Sequence, residues 1–347
     1  MQRLQGIPNG LLSLAHDDFA LLVNAQARGF TKAMRAGVFD AIPRRQLFFS
    51  YSLEESERNL LEILKRGFQA VFVCGGDGSL SRLLNDLRAL VPDPREQPYV
   101  GVLRMGTGNA VADFLGCGAA RDDLEKLRTQ ALMQRASLRL IETAGQLCPF
   151  AGCGVDARVL NDYIALKQGM SGTPMEAALT GVRGYLLSGI FKTAPQMLLP
   201  SNQRRCFVIN EGSRAFAIDR HGRVLEVFEP GAVLYSGNVL MAAVGSVPYY
   251  GYKLRMFPHA ASRPALFQLR IGMMNPLLSV ARLPKLWRGE LDREHGIYDF
   301  LVDKVRIEFD ADTAFQLGGD AMGYRREVLF ELAQRRFDFV RPLSKAV

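Results

Sequence analysis

The feature that most constrains this chain is the spacing of its apolar runs. In the first hundred or so residues four short runs, FALLVN, QLFFSY, AVFVC and YVGVL, alternate with helical patterns. Each run is apolar at successive positions rather than alternate ones, which suits strands buried on both faces. The intervening segments read as helices. In SLEESERNLLEILKRG, Ser52 can cap the helix, Glu55 sits three residues on, and Gly67 closes it. Residues 79–90 place Leu80, Leu83, Leu84 and Leu87 on one face. A further amphipathic helix spans residues 122–134. Strands separated by such helices form a parallel sheet covered on both sides, a doubly wound α/β domain.

From about Ser137 the texture changes. Short apolar strands follow one another at 138–142, 205–210, 215–219, 222–228, 232–243, 266–271 and 304–309. Their spacing predicts an antiparallel sandwich or barrel. IDRHGRVLEV reads as a hairpin turning at His221-Gly222, and a helical insert rich in Met, Leu and Gly runs over 156–199. At 347 residues the chain exceeds one ordinary core, so two domains are expected.

Charge and composition narrow the partners. A net charge of +8 suits nucleotide phosphates, nucleic acid or an anionic membrane surface, and solvated arginines alone could also account for it. The basic residues are not clustered with aromatics, which speaks against nucleic acid. Five cysteines, an odd number with no C-x-x-C pair, fit a reduced cytoplasmic chain. The N-terminus shows no signal-peptide pattern. The longest candidate span, 271–281, is about half the length a bilayer requires and contains Pro276, so any membrane contact is expected to be peripheral. Trp287, between Lys285 and Arg288, suits either a membrane interface or packing under a basic loop. The four histidines form no ligand pair, and no Gly-x-Ser-x-Gly elbow is present.

Two glycine loops carry the chemistry. Gly75-Gly76-Asp77-Gly78-Ser79 joins the third strand to a helix. Glycines let backbone N–H groups approach phosphate oxygens, and a helix N-terminus adds partial positive charge. The loop is neither a Walker A sequence nor the Gly-x-Gly-x-x-Gly fingerprint. A bare carboxylate would repel phosphates, so Asp77 suits Mg²⁺ binding or proton acceptance; a tight turn with Asp77 as a helix cap is the structural alternative. Gly106-Thr107-Gly108-Asn109 follows the fourth strand, and Thr107 and Asn109 are suited to phosphates, ribose or base edges. Asn24 ends the first strand. All three features fall at strand C-termini, where open α/β sheets bind ligands.

In this order, Asn24, G-G-D-G-S with Leu80, Leu83 and Asn85, then G-T-G-N, the chain resembles the diacylglycerol kinase / sphingosine kinase superfamily. AGCGVDARVLNDY resembles that family's Gly-x-Gly-x-Asp-Ala-x-Val segment, and VRIEFDADTAFQLGGDA its strand leading to an Asp-Gly-Glu motif. The resemblance implies an N-terminal α/β nucleotide-binding domain over 1–136 and an antiparallel β-sandwich lipid-substrate domain over 137–315. Residues 316–347 would return to the first domain. It implies an ATP- and Mg²⁺-dependent kinase that phosphorylates a lipid hydroxyl, with ATP and lipid meeting between the domains. Asn24, Gly75, Gly76, Asp77, Gly78, Ser79, Gly106, Thr107, Gly108 and Asn109 would bind nucleotide. Asp320, slightly ahead of Asp77, would be the base. Asp156 would hold the acceptor's polar head or simply cap a helix. The metal ligands are left unassigned. Several positions depart from the family: Ser79 for Thr, Arg82 for Glu, Asp86 for Gly, and Gly318-Gly319-Asp320 for Asp-Gly-Glu. These departures keep two alternatives open, an NAD kinase-like enzyme and an inactive nucleotide- or lipid-binding homologue.

Overall fold

The computed structural model describes residues 10–106, 108–129, 132–158, 204–251, 253–273 and 281–343. The chain forms two compact units. One holds the residues up to 139 together with those from 334 onward, and the other holds 140–333.

The first unit is built on four parallel strands, β2 (Phe19–Asn24), β3 (Leu47–Ser50), β4 (Ala70–Gly75) and β5 (Tyr99–Arg104). β2 pairs with both β3 and β4, and β4 pairs with β5, giving the order β3-β2-β4-β5. The helices between them are α1 (Phe30–Arg35), α2 (Leu53–Lys65) and α3 (Asp77–Leu90). The step from β2 to β3 runs one way across the sheet, and the step from β3 to β4 runs back. Right-handed crossovers then place α1 on one face and α2 and α3 on the other, and the order reverses between β2 and β4. A crevice at the C-terminal ends of β2 and β4 is the expected binding place of such a sheet.

Local sequence explains these elements. Ser52 Oγ accepts the Glu55 N–H at 3.2 Å, so the capping residue read from the sequence does start α2. Glu55 reaches back to the N–H of Tyr51 at 2.7 Å, and Leu60 and Ile63 turn inward. β4 is buried at every position, as a central strand covered on both faces must be. Phe19 and Phe72 meet edge to face inside this core, with ring centroids 5.9 Å apart.

After β5 come α4 (Ala110–Leu115) and α5 (Ala120–Thr129), then β6 (Leu132–Thr143). The helix expected over 122–134 therefore ends earlier. Ala136, Leu138 and Leu140 are buried at alternate positions, a strand period that β6 satisfies. A short strand β1 (Gly10–Ser13) pairs antiparallel with β6.

The second unit is antiparallel. Its strands are β7 (Gln146–Cys148), β8 (Phe150–Gly154), β9 (Arg204–Asn210), β10 (Ala215–Ile218), β11 (Val224–Phe228), β12 (Val233–Val239), β13 (Met241–Gly245), β14 (Phe267–Gly272), β15 (Ile297–Val302), β16 (Lys304–Leu317) and β17 (Asp320–Pro342). β16 serves two layers. Its first half pairs with β9, its last residues pair with β8, and the register breaks between Glu308 and Thr313. One layer is β12-β9-β16, and the other runs β11-β10-β15-β14-β13-β8-β16. Phe267, Phe300, Phe315 and Phe330 fill one core with residues of both layers, the arrangement of a β-sandwich. The run 232–243 is two strands rather than one, because β12 pairs with β9 whereas β13 pairs with β8 and β14.

The expected hairpin at His221-Gly222 joins β10 to β11, with Gly222 at φ +79°. Residues 320–333 of β17 stay in the second unit, and the chain re-enters the first at Gln334, later than the expected 316. The helical insert lies almost wholly outside the described residues, as does Thr107. All five cysteines are free and buried.

Candidate active site

In the first unit, Asn24, Gly75, Gly76, Asp77, Gly78, Ser79, Gly106, Gly108 and Asn109 assemble at the C-terminal ends of β2, β4 and β5. The two glycine loops are locked to each other by backbone. Gly75 C=O accepts the N–H groups of Met105 and Gly106 at 3.0 and 2.9 Å, and Gly108 C=O accepts that of Asp77 at 3.3 Å. A Cβ on Gly106 would lie 2.1 Å from the Gly76 Cα, and one on Gly76 would lie 3.0 Å from the Gly106 Cα. A Cβ on Gly75 would strike Ser79 Oγ at 2.4 Å. The glycines thus let the two loops approach each other closely.

Gly106→Ala is expected to destabilise the protein by about 1–3 kcal/mol, because the obstacle is backbone and cannot swing aside. Thermal unfolding checks this against Gly10→Ala, whose Cβ would meet nothing within 4 Å. The control should melt like the wild type.

Asp77 is 8% exposed. Its two carboxylate oxygens both accept the N–H of Ala110, at 2.8 and 2.9 Å. The capping role considered from the sequence is therefore real, but it falls on α4 rather than on Asp77's own helix. Asn109, at the N-cap position of α4, makes no side-chain cap bond and instead donates from Nδ2 to Gly106 C=O at 3.0 Å. Burial pushes the Asp77 carboxyl up to about 6, against the lowering effect of the Ala110 and Val111 N–H groups. A carboxyl poised near neutrality suits proton or cation chemistry. Arg104 pairs with Asp113 at 2.7 Å just behind it.

Asn24 works through its neighbours. Its Nδ2 donates to Ser79 Oγ at 2.9 Å, and its Oδ1 accepts the Gln26 N–H at 2.9 Å. That leaves the Ser79 hydroxyl hydrogen free to point elsewhere. Ser79 and Gly78 lie in the first turn of α3, where N–H groups have no intrahelical acceptor. Such donors fit phosphate oxygens. Among the described residues no three His, Cys, Asp or Glu side chains cluster as a metal cage. A Mg²⁺ ion here would be held by Asp77 together with nucleotide phosphate oxygens, the usual mode for this ion, and the lone acid fits it.

The departures at 82 and 86 compensate each other. Arg82 Nε lies 2.9 Å from Asp86 on the same face of α3, so a charge introduced at one position is met at the other.

The second unit holds Asp156 and Asp320. Asp156 is buried, and burial raises its carboxyl above the ordinary range. Tyr250 donates its hydroxyl hydrogen to Asp156 Oδ2 at 2.5 Å, and Gln316 Nε2 donates to the same oxygen at 3.3 Å. Gly152 is needed beneath them, since a Cβ there would lie 1.9 Å from Asp156 Oδ2. The other oxygen, Oδ1, is buried and accepts no well-formed hydrogen bond from a described residue, although the Ala157 N–H lies near the carboxylate. Asp320 is exposed at the start of β17, and its surroundings still raise its carboxyl from the ordinary value. It follows a two-residue hairpin loop, with Gly318 at φ +60° and Gly319 at φ +95°. Positive φ at both central residues marks a type I′ turn, for which Gly-Gly is well suited. The glycine that replaces the family's leading Asp is thus accommodated by the turn.

Tyr250 and Gln316 carry no local sequence signal. Both faces of the end of β16 are buried, so no alternation singles out Gln316.

The first unit is thus a doubly wound sheet with interlocked glycine loops at the C-terminal ends of β4 and β5, and the second is an antiparallel sandwich. Residues 20–141 match the diacylglycerol kinase catalytic domain family, and that segment supports a relation to the diacylglycerol kinase-like superfamily. Mouse diacylglycerol kinase delta is 40% identical over 73 residues, 21% of this chain and 6% of that protein. The eye-specific diacylglycerol kinase of Drosophila melanogaster is 43% identical over 53 residues, 15% of this chain and 4% of that protein. These matches span only a small part of those relatives. The crystal structure of a diacylglycerol kinase from Bacillus anthracis superposes with a TM-score of 0.61 at 14% identity, covering 94% of this chain and 97% of that one. Likeness at this identity concerns the fold.

Proposed function

We propose that the protein is an ATP-dependent lipid kinase, transferring the γ-phosphoryl group of ATP to the hydroxyl of a diacylglycerol or of a long-chain base such as sphingosine or ceramide. The observation that carries this reading is the interlocked pair of glycine loops, with a buried acid among them, inside the segment that matches the diacylglycerol kinase catalytic domain.

The residues divide the work. Backbone N–H groups of Gly78 and Ser79, with the Ser79 hydroxyl oriented by Asn24, bind phosphate oxygens and fix their direction. Asp77 holds the cation side of the nucleotide. Mg²⁺, when bound, neutralises charge on the β- and γ-phosphates. Asp320 accepts the proton of the lipid hydroxyl as that oxygen bonds to the γ-phosphorus and the bond to the bridging oxygen of ADP breaks. Asp156 binds the polar head of the acceptor through Oδ1, which accepts no well-formed hydrogen bond from a described residue, because an under-satisfied buried acceptor favours an incoming donor.

We place the reaction at the surface of an anionic membrane, with the protein cytoplasmic and peripheral. The net charge of +8 supports this, and no helix among the described residues is long and apolar enough to cross a bilayer. Lys285 and Trp287 lie on a short helix, α6 (Leu283–Arg288), and are candidates for surface contact; Arg288 is paired with Glu290 at 2.6 Å.

The test is incubation with labelled ATP, Mg²⁺ and separate acceptors: diacylglycerol, ceramide, sphingosine and NAD. Label in a lipid is expected. Label only in NADP, or ATP binding with no transfer to any acceptor, overturns the proposal.

A further inference from the structure

We infer that Gln316 is a positioning residue that ties the turn carrying Asp320 to the buried carboxylate of Asp156. The inference rests on the lipid-kinase reading for its functional meaning, and on hydrogen bonds within one unit for its geometry.

Gln316 is 1% exposed, near the end of β16. Its amide is used on both sides. Nε2 donates to Asp156 Oδ2 at 3.3 Å and to the Tyr250 hydroxyl oxygen. Oε1 accepts the Gly319 N–H at 2.9 Å. The proton inventory is consistent. The amide supplies two hydrogens to two acceptors, and the tyrosine passes its own hydrogen to the carboxylate. The carbonyl oxygen remains for the turn.

The turn is pinned twice. Gly318 N–H donates to Phe150 C=O at 2.9 Å, and Gly319 N–H donates to Gln316. Asp320 is the next residue. Backbone positions in a Gly-Gly turn have wide freedom, so these two N–H groups, together with the Leu317–Asp320 pairing, restrict the backbone from which the Asp320 side chain departs. Phe150 is the first residue of β8 and Asp156 lies two residues past its end, and the Tyr250 and Phe150 ring centroids are 4.4 Å apart. Asp156, Tyr250, Gln316 and the turn therefore form one connected block.

An apolar side chain of similar size would fill the Gln316 position without the cost of desolvating an amide. What the amide adds is direction. It makes the orientation of the proposed base depend on the residue proposed to bind the acceptor head. Substrate contact at Asp156 would then be felt at Asp320 through one side chain.

The test uses the full chain and two measurements. Gln316→Met keeps volume and removes the amide; Asp156→Ala removes the far anchor. Amide hydrogen exchange at Gly319 is expected to speed up at least about 10-fold in both variants, with melting close to wild type for Gln316→Met. Turnover of Gln316→Met is expected to fall about 10-fold, with KM for ATP unchanged. Wild-type exchange at Gly319 in either variant overturns the inference, as does unchanged turnover in Gln316→Met. If the wild type phosphorylates no lipid, the functional proposal fails while the exchange data still decide whether Asp156 holds the turn through Gln316.

Discussion

Asp77→Asn is expected to cut phosphoryl transfer severely and at the same time to raise stability at neutral pH. The carboxyl is pushed up to about 6 from an ordinary value of 3.8, with burial as the leading cause. The folded protein therefore holds this proton more tightly than the unfolded chain does. Stability contributed by the group is greatest below its ordinary value and falls as pH rises through about 6. At pH 7.5 the ionised, buried form costs on the order of 3 kcal/mol. Asparagine keeps an oxygen for the Ala110 N–H and removes the charge. Melting of Asp77→Asn should therefore exceed wild type at pH 7.5 by several degrees, and the gap should close near pH 4. Turnover should fall by about 100-fold or more. The acid limb of the wild-type pH–rate profile should lie near 6, where this carboxyl titrates, and should be absent from any residual activity of the variant. Retained turnover, or a variant less stable than wild type at both pH values, would contradict this account of Asp77.

Asp320→Asn should separate from it cleanly. Asp320 is exposed beside a turn, so its replacement should shift melting far less than Asp77→Asn does. As the proposed base it should lower turnover by roughly 100- to 10,000-fold, with ATP affinity changed no more than about 2-fold. Asp320→Glu, which restores the family's longer acid, should keep part of the activity. Full turnover in Asp320→Asn would remove Asp320 from the role of base and leave Asp77 as the remaining candidate. Its carboxyl is raised by its surroundings, so loss of activity on acidification is expected from this residue as well.

The first unit was legible because its signals are local. Successive apolar residues in AVFVC, short and closed by glycines, read as a strand covered on both faces, and Ser52 with Glu55 carries a local helix-start pattern. The glycine loops were legible as loops, and their positions after β4 and β5 followed from the alternation of strands and helices. Their mutual contact was not legible. Only the fold shows that Gly76 and Gly106 meet backbone to backbone, and that Asp77 reaches across to α4 instead of capping α3. Such contacts join residues far apart in the chain, and no periodicity encodes them.

The second unit was read less well for a related reason. β16 changes partners midway and β17 runs on through both units, so their strand patterns blend buried faces of different origin. Gln316 shows the limit most clearly. It sits in the segment QLGGDA, whose resemblance to a kinase motif drew attention to the acid. The amide beside it gains its meaning only from Asp156, Tyr250 and Gly319. The Arg82–Asp86 pair carries the same lesson: two separate departures from a family pattern become one ion pair once the helix is formed.

The most direct test of the central claim is the recovery of γ-phosphate label in organic-extractable lipid. The protein would be incubated with labelled ATP and Mg²⁺ on mixed micelles of anionic phospholipid and diacylglycerol or sphingosine, alongside Asp77→Asn and Asp320→Asn. Label in the lipid phase with wild type, and loss of it in both variants, is the predicted result. Label confined to the aqueous phase with every acceptor, or lipid labelling undiminished in both variants, would contradict it.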